Sequence, residues 1–351
     1  MTVPATPTLR WLESLSPWPE DGFGLDRIRA LLDALGNPQR SYTAVHVVGT
    51  KGKSTATRTI AATLRAEGVA SAAYTSPHVS GWHERLETDE PGLLAALDRV
   101  RPEAETVGAT QFEVLTAAAL TDFAARGVQT AAIEAGLGGR FDATNVVDAR
   151  VVLLTNVGLE HTDVLGETRE AIAAEKLAVA AAADVVVLPD LEFASLVPAG
   201  EVRIGGPCEA VEAVLGRPVA ATVEVELPGR LELRAAGEVR DGAHTPDAVD
   251  WLLTRLPAPG SYVVVASILA DKDADGILER LGRAGSTLVA TRSSSPRSLP
   301  AADVAARARP WFASVQAVDD PHLALAQARE SGAPVLVTGS LYLLADLSDD
   351  R

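Results

Sequence analysis

Residues 42–59 read YTAVHVVGTKGKSTATRT. An apolar run, Ala44 to Val48, enters a tight Gly-Thr-Lys-Gly-Lys-Ser-Thr turn. Beyond the turn Ile60, Ala61 and Leu64 share one face at helical spacing, up to Gly68. A strand, a glycine turn and a helix in that order form a phosphate cradle, because backbone N–H groups line the turn and the helix start adds positive potential. Lys53 is placed to contact the outer phosphates, and a hydroxyl after it to hold Mg²⁺. The pattern is shorter than GxxxxGK[ST], since Val47 stands where the first glycine would be.

Working outward, apolar runs alternate with helical patterns, which predicts a doubly wound parallel α/β sheet. Strands are expected at 69–74, 130–133, 151–155 and 185–188, and helices at 91–100, 111–126 and 167–182. The glycine turn, Ser76, Glu134 and His161 each come just after an expected strand. In open parallel sheets ligands bind beyond the carboxyl ends of the strands. The four turns therefore bring a phosphate cradle, a hydroxyl, a carboxylate and an imidazole to one edge, the outline of a metal–nucleotide site. Residues 190–226 are weakly patterned, and the domain change is placed near Leu227-Pro228-Gly229. This gives a P-loop domain over 1–226 and a smaller Rossmann-like α/β domain over 227–351. In the latter, strands at 238–240, 262–266, 287–290, 315–318 and 335–337 alternate with helices at 246–256, 274–284, 300–308 and 321–330.

The composition sets limits. At 351 residues and 47% hydrophobic content the chain can fill two cores. A net charge of −16 speaks against a broad nucleic-acid-binding surface. Cys208 is the only cysteine, so no intramolecular disulfide can form and a reducing compartment is expected. The start lacks the order of a signal peptide, and no apolar run reaches membrane-spanning length. The expectation is a cytoplasmic, monomeric protein with small-molecule partners.

Many ordered motifs resemble those of the folylpolyglutamate synthase/dihydrofolate synthase family, a branch of the Mur-type ATP-dependent amide ligases. They are GTKGKST (49–55), TSPH (75–78), HERL (83–86), FEVLT (112–116), EAGLGGRFDATN (134–145) and TNVGLEHTDVLG (155–166), then LPGRLEL (227–233), DGAHTP (241–246) and TGSLYL (338–343). The resemblance implies that ATP phosphorylates a carboxylate and that the amino group of L-glutamate displaces phosphate from the acyl phosphate. It implies ATP held by Gly49, Thr50, Lys51, Gly52, Lys53, Ser54 and Thr55, with Arg230, Asp241 and His244 serving the nucleotide from the second domain. One Mg²⁺ would take Thr55, Ser76 and Glu134, and a second would take His161; Ser54 fits the general P-loop register as well as Thr55 does. Lys53, His161 and Lys176 would carry the chemistry, Lys176 aligning with a lysine that the family carbamylates. A pterin or folate acid would meet Asp26, Arg27, Phe112, Arg140 and Asp142. Read bare, Lys176 is an ordinary helix lysine, His161 a hydrogen-bonded structural histidine and Glu134 a cap or ion-pair residue. The family's GTNGKGS has become GTKGKST, DGAHN has become DGAHT, and the stretch between Lys176 and Leu227 is abbreviated. A diverged ligase for another carboxylate and a non-catalytic nucleotide-binding homologue are the alternatives.

Overall fold

The computed structural model describes residues 6–19 and 22–348, and the elements below are those of the described residues. They divide into two units, one formed by Trp82–Val225 with the chain up to His78, the other by Val79–Gly81 with the chain from Glu226.

The first unit runs through α1 (Pro7–Ser14), α2 (Asp26–Ala34), β1 (Thr43–Val48), α3 (Lys53–Ala66), β2 (Ser71–Tyr74), α4 (Glu90–Val107), α5 (Gln111–Ala125) and β3 (Thr130–Glu134). It continues with β4 (Ala149–Leu154), α6 (Thr162–Leu165), α7 (Arg169–Leu177), β5 (Val185–Leu188), β6 (Glu201–Ile204) and α8 (Pro207–Leu215). The strands form one sheet in the order β2-β3-β1-β4-β5-β6, every neighbouring pair parallel. β1 is covered on both faces. Val45 and Val47 share a core with Ile60 and Leu64 of α3, while Ala44 and Val48 share another with Leu115 and Ile172. Burial on both faces is why this strand reads as an unbroken apolar run. α3 starts at Lys53 directly after Gly52, whose φ of +79° a side chain would disfavour.

β3 pairs with β1 from Thr43–Thr130 to Val47–Glu134. That register sets Glu134 beside the last residues before the glycine turn, so the carboxylate position follows from strand pairing. The helix expected over 167–182 ends at Leu177 and gives way to a short 3₁₀ turn, Ala178–Ala180. The weakly patterned 190–226 region holds β6 and α8. β6 is an edge strand with exposed and half-buried residues, so it carries no apolar signal.

The second unit comprises β7 (Glu232–Leu233), β8 (Val239–Arg240), α9 (Pro246–Leu253), β9 (Val263–Ala266), α10 (Ala274–Leu281), β10 (Thr287–Ala290), α11 (Ala301–Ala308), β11 (Ser314–Ala317), α12 (Pro321–Glu330), β12 (Val335–Thr338) and α13 (Leu341–Asp346). Its sheet has the order β11-β10-β9-β12-β8-β7, parallel except for the β7–β8 edge pair. The two α/β layers agree with the expected fold class. No helix among the described residues is long and apolar enough to cross a membrane.

Candidate functional site

The glycine turn is fixed by the segment that follows β4. A Cβ added to Gly49, at φ +145°, would lie 2.0 Å from Thr155 Oγ1, so only glycine lets the strap approach. The Thr50 N–H donates to the Asn156 carbonyl at 3.0 Å, and the Lys51 N–H to Asn156 Oδ1 at 2.9 Å. Asn156 Nδ2 and the Thr155 hydroxyl donate back to the Lys51 carbonyl at 2.9 and 2.7 Å. The turn's backbone is thus set before any phosphate arrives, which is preorganisation in the electrostatic sense.

Lys53 folds over the turn and donates to the Gly49 and Thr50 carbonyls at 2.9 and 3.2 Å. Ser54 Oγ donates to Glu134 Oε1 at 3.0 Å, and the Ser76 N–H donates to Oε2 at 2.9 Å. Glu134 is only 2% exposed. Of the two hydroxyls that the sequence left open, Ser54 faces this carboxylate, whereas Thr55 is exposed. Among the described residues no three His, Cys, Asp or Glu side chains cluster around a metal-sized site. The donor set at Glu134 is one carboxylate and the Ser54 hydroxyl, an oxygen chemistry that suits Mg²⁺ completed by phosphate and water.

Lys176 is the other cation of the turn. It is 2% exposed, and its Nζ donates to Glu160 Oε1 at 2.7 Å and to the Gly49 carbonyl at 3.0 Å. Burial pulls the Lys176 pKa down, while Glu160 opposes the shift and Lys53 adds to it. Burial pushes Glu160 up, but the ammoniums of Lys176 and Lys53 outweigh it and leave the carboxyl below its usual range. Sequence reasoning gave Glu160 no role; its place one residue before His161 was the available signal. His161 is exposed at the start of α6 with φ +45°.

The acid-side residues fall into three groups. Asp142 is buried, accepting from the Leu137 N–H at 2.7 Å, the Thr144 N–H at 3.0 Å and the Thr144 hydroxyl. Since that hydroxyl's proton goes to Asp142, His46 Nε2 donates to Thr144 Oγ1, at 2.8 Å. Burial lowers His46 to about 4, so it is neutral near pH 7. Burial also raises Asp142, against the hydrogen bonds from Thr144, Leu137 and the Gly136 backbone. This buried chain shapes the loop after Glu134, and no sequence pattern marks His46's part in it. Phe112 lies over the same loop, where a Cβ on Gly136 would come within 2.6 Å of its ring. Arg27 forms an ion pair with Glu113 at 2.8 Å, and Asp26 is exposed at the start of α2. Arg140 pairs with Glu175 at 3.1 Å on the surface.

In the second unit Asp241 and His244 lie in the turn after β8, and Arg230, which precedes β7, reaches that turn beside Gly242. Asp241 accepts from the Leu231 and Ala243 N–H groups at 2.7 and 2.8 Å. Burial raises its pKa, opposed by these bonds and by Arg230. His244 Nδ1 donates to the Gly242 carbonyl at 2.7 Å, leaving Nε2 as the free acceptor position, and burial lowers its pKa. Arg230 Nη1 donates to the Gly229 carbonyl at 3.2 Å.

Comparisons with known proteins agree with the two-unit α/β fold. Residues 47–190 match the Mur ligase middle domain, and residues 229–341 match the Mur ligase, glutamate ligase domain. The chain is 32% identical to the dihydrofolate synthase/folylpolyglutamate synthase of Mycobacterium tuberculosis, over 80% of this chain and 77% of the relative. Escherichia coli FolC in complex with DHPP and ADP superimposes with a TM-score of 0.85 at 25% identity, covering 99% of this chain and 98% of the other. The bifunctional folylpolyglutamate synthase/dihydrofolate synthase of Yersinia pestis, complexed with AMPPNP and Mn ion, does so with a TM-score of 0.83 at 25% identity, covering 99% and 98%.

Proposed function

This chain belongs to the folylpolyglutamate synthase/dihydrofolate synthase family of Mur ligases, and on that basis we propose that it joins L-glutamate to a pterin-bearing carboxylate at the expense of ATP. The observation that carries the reading is Glu134, held between the Ser54 hydroxyl and the Ser76 N–H at the mouth of a preformed phosphate turn.

The physical problem is charge. A carboxylate must approach a triphosphate, and negative charge spreads over the transferring phosphoryl oxygens. The N–H groups of residues 49–55 cradle the phosphates, and Lys53 swings from its carbonyl partners to the outer phosphate oxygens. Ser54 or Thr55, Ser76 and Glu134 would hold one Mg²⁺, and His161 a second. The ions supply charge neutralisation at the phosphoryl group. The carboxylate oxygen attacks the γ-phosphorus, ADP leaves, and the glutamate amine then displaces phosphate from the acyl phosphate. Lys176 keeps the Gly49 end of the turn in place. Its carbamylation would first need the neutral amine, which burial favours and Glu160 opposes. Arg230, Asp241 and His244 serve the nucleotide from the second unit. The lone thiol and the polyanionic substrates fit a cytoplasmic setting.

The test is ADP release with Mg-ATP and L-glutamate, in the presence of dihydropteroate, tetrahydrofolate or no acid. The expected outcome is acid-dependent ADP release and a product heavier by one glutamyl residue. ATP binding without turnover on either acid would contradict the substrate assignment, and no ATP binding would contradict the enzyme reading altogether.

A further inference from the structure

Four cations around the glycine turn are paired with carboxylates. Arg27 pairs with Glu113, Arg58 with Glu87, Arg140 with Glu175 and Lys176 with Glu160. Lys53 lies on the phosphate turn. Arg85, in the HERL segment, is half-buried and forms no ion pair with a carboxylate among the described residues. Its Nε donates to His78 Nδ1 at 3.1 Å, and its guanidinium carbon sits 5.0 Å from the centre of the Trp82 ring. Because Nδ1 accepts, that imidazole is neutral. An imidazole and an indole therefore orient the guanidinium without discharging it.

Its position is as telling as its partners. The Arg85 carbonyl accepts from the Thr75 N–H at 3.0 Å, and the next N–H along the chain, that of Ser76, donates to Glu134. Arg85 also lies in the electrostatic field of Tyr74 and Glu134. The Tyr74 ring in turn stands 6.3 Å from that of Phe112. A preoriented guanidinium beside aromatic rings, at the phosphoryl-transfer end of the sheet, is built for a planar anion borne on an aromatic body.

We propose that Arg85 receives the carboxylate that is to be phosphorylated and holds it beside Glu134. The proposal rests on the acid-ligase reading above and adds to it a specificity-determining residue. It also explains how a carboxylate can settle near Glu134 and a triphosphate: a guanidinium that forms no ion pair among the described residues offsets the repulsion.

The test compares binding of dihydropteroate and of its neutral carboxamide to the enzyme loaded with Mg-AMPPNP, by titration calorimetry. The native chain should prefer the acid by roughly 10- to 100-fold, the scale of a charge-assisted hydrogen-bonded pair. Arg85→Met should erase that preference by weakening the acid alone, with AMPPNP affinity unchanged. Arg85→Lys, which keeps the charge but loses the planar fork, should keep part of it and covers the case in which the methionine variant does not fold. A preference that survives in either variant at the native level would overturn the proposal, as would equal weakening of acid and carboxamide, the sign of a merely structural role. Failure of the native chain to bind either compound would instead overturn the substrate assignment, and this proposal with it.

Discussion

Arg240 and Arg85 are cations withdrawn from solvent in different units, and their partners treat them in opposite ways. Arg240, only 1% exposed, donates to Glu238 Oε1 at 2.7 Å and to the Leu347 carbonyl at 2.6 Å. Glu238 also takes Arg329 Nη2 at 2.7 Å, so one carboxylate bridges two guanidiniums inside the second unit. Arg85 is met by a neutral imidazole and an indole, with Glu134 acting on it only through its field, and it forms no ion pair among the described residues. A buried cation neutralised by a carboxylate belongs to the architecture, and removing one partner strands the other. A cation with only neutral partners keeps its charge for something that arrives. In a chain of net charge −16 the partner of each cation, more than its presence, separates support from chemistry.

That contrast can be broken experimentally. The largest effect falls on the architectural side. Arg240→Met should destabilise the protein by about 3–5 kcal/mol, the cost of breaking a buried pair, with turnover per folded molecule unchanged. A lowered thermal midpoint at native turnover is the expected result; native stability with lost turnover would reverse the assignment. Lys53, whose partners are also neutral, should behave oppositely. Lys53→Ala should lower kcat by about 10²–10³-fold, as removal of one preorganised donor does, without moving the melting temperature. Stopped phosphate release with an intact fold checks this, and native turnover would remove Lys53 from the mechanism.

A smaller effect comes from the buried neutral imidazole of His46. Burial holds it at about 4, below its ordinary value of 6.5, so the unfolded chain takes up the proton first. The stability it contributes is therefore complete above the unfolded value of 6.5 and is lost as pH falls toward about 4. The slope in that window is roughly 1.4 kcal/mol per pH unit. His46→Gln should flatten this slope in thermal melts across the acid range, and an unchanged slope would point to other groups. The smallest effect marks the floor of the comparison. The Arg101–Glu105 pair is exposed and spans one helical turn, so Arg101→Ala should cost less than about 0.5 kcal/mol. A larger loss there would show that pairing alone, without burial, holds this molecule together.

The alternation of apolar runs and helical patterns was enough to read the central strands, because strands buried on both faces are continuous in sequence. β6 escaped, since its residues at the sheet edge are exposed or half-buried and present no such run. The two-residue β7 is too short to leave a pattern. At the site, Lys53, Ser54, Ser76 and Glu134 were legible because strand ends bring them together. The choice between Ser54 and Thr55 was not, for it depends on which way each hydroxyl points at the start of α3. The partnerships of Glu160 with Lys176 and of His46 with Thr144 span 16 and 98 residues. Only the folded sheet brings those side chains together. Arg85 was visible within a motif, yet its significance rests on its forming no ion pair with a carboxylate among the described residues, which no sequence pattern records.

The central claim is an acyl phosphate formed on the substrate carboxylate, and oxygen-18 transfer tests it most directly. Dihydropteroate labelled at both carboxylate oxygens would be turned over with Mg-ATP and L-glutamate in unlabelled water, and the inorganic phosphate examined by mass. Attack by the carboxylate on ATP predicts that each phosphate released carries a single labelled oxygen, with the other retained in the amide. Unlabelled phosphate accompanying product would mean that water had cleaved the ATP and that no acyl phosphate was formed.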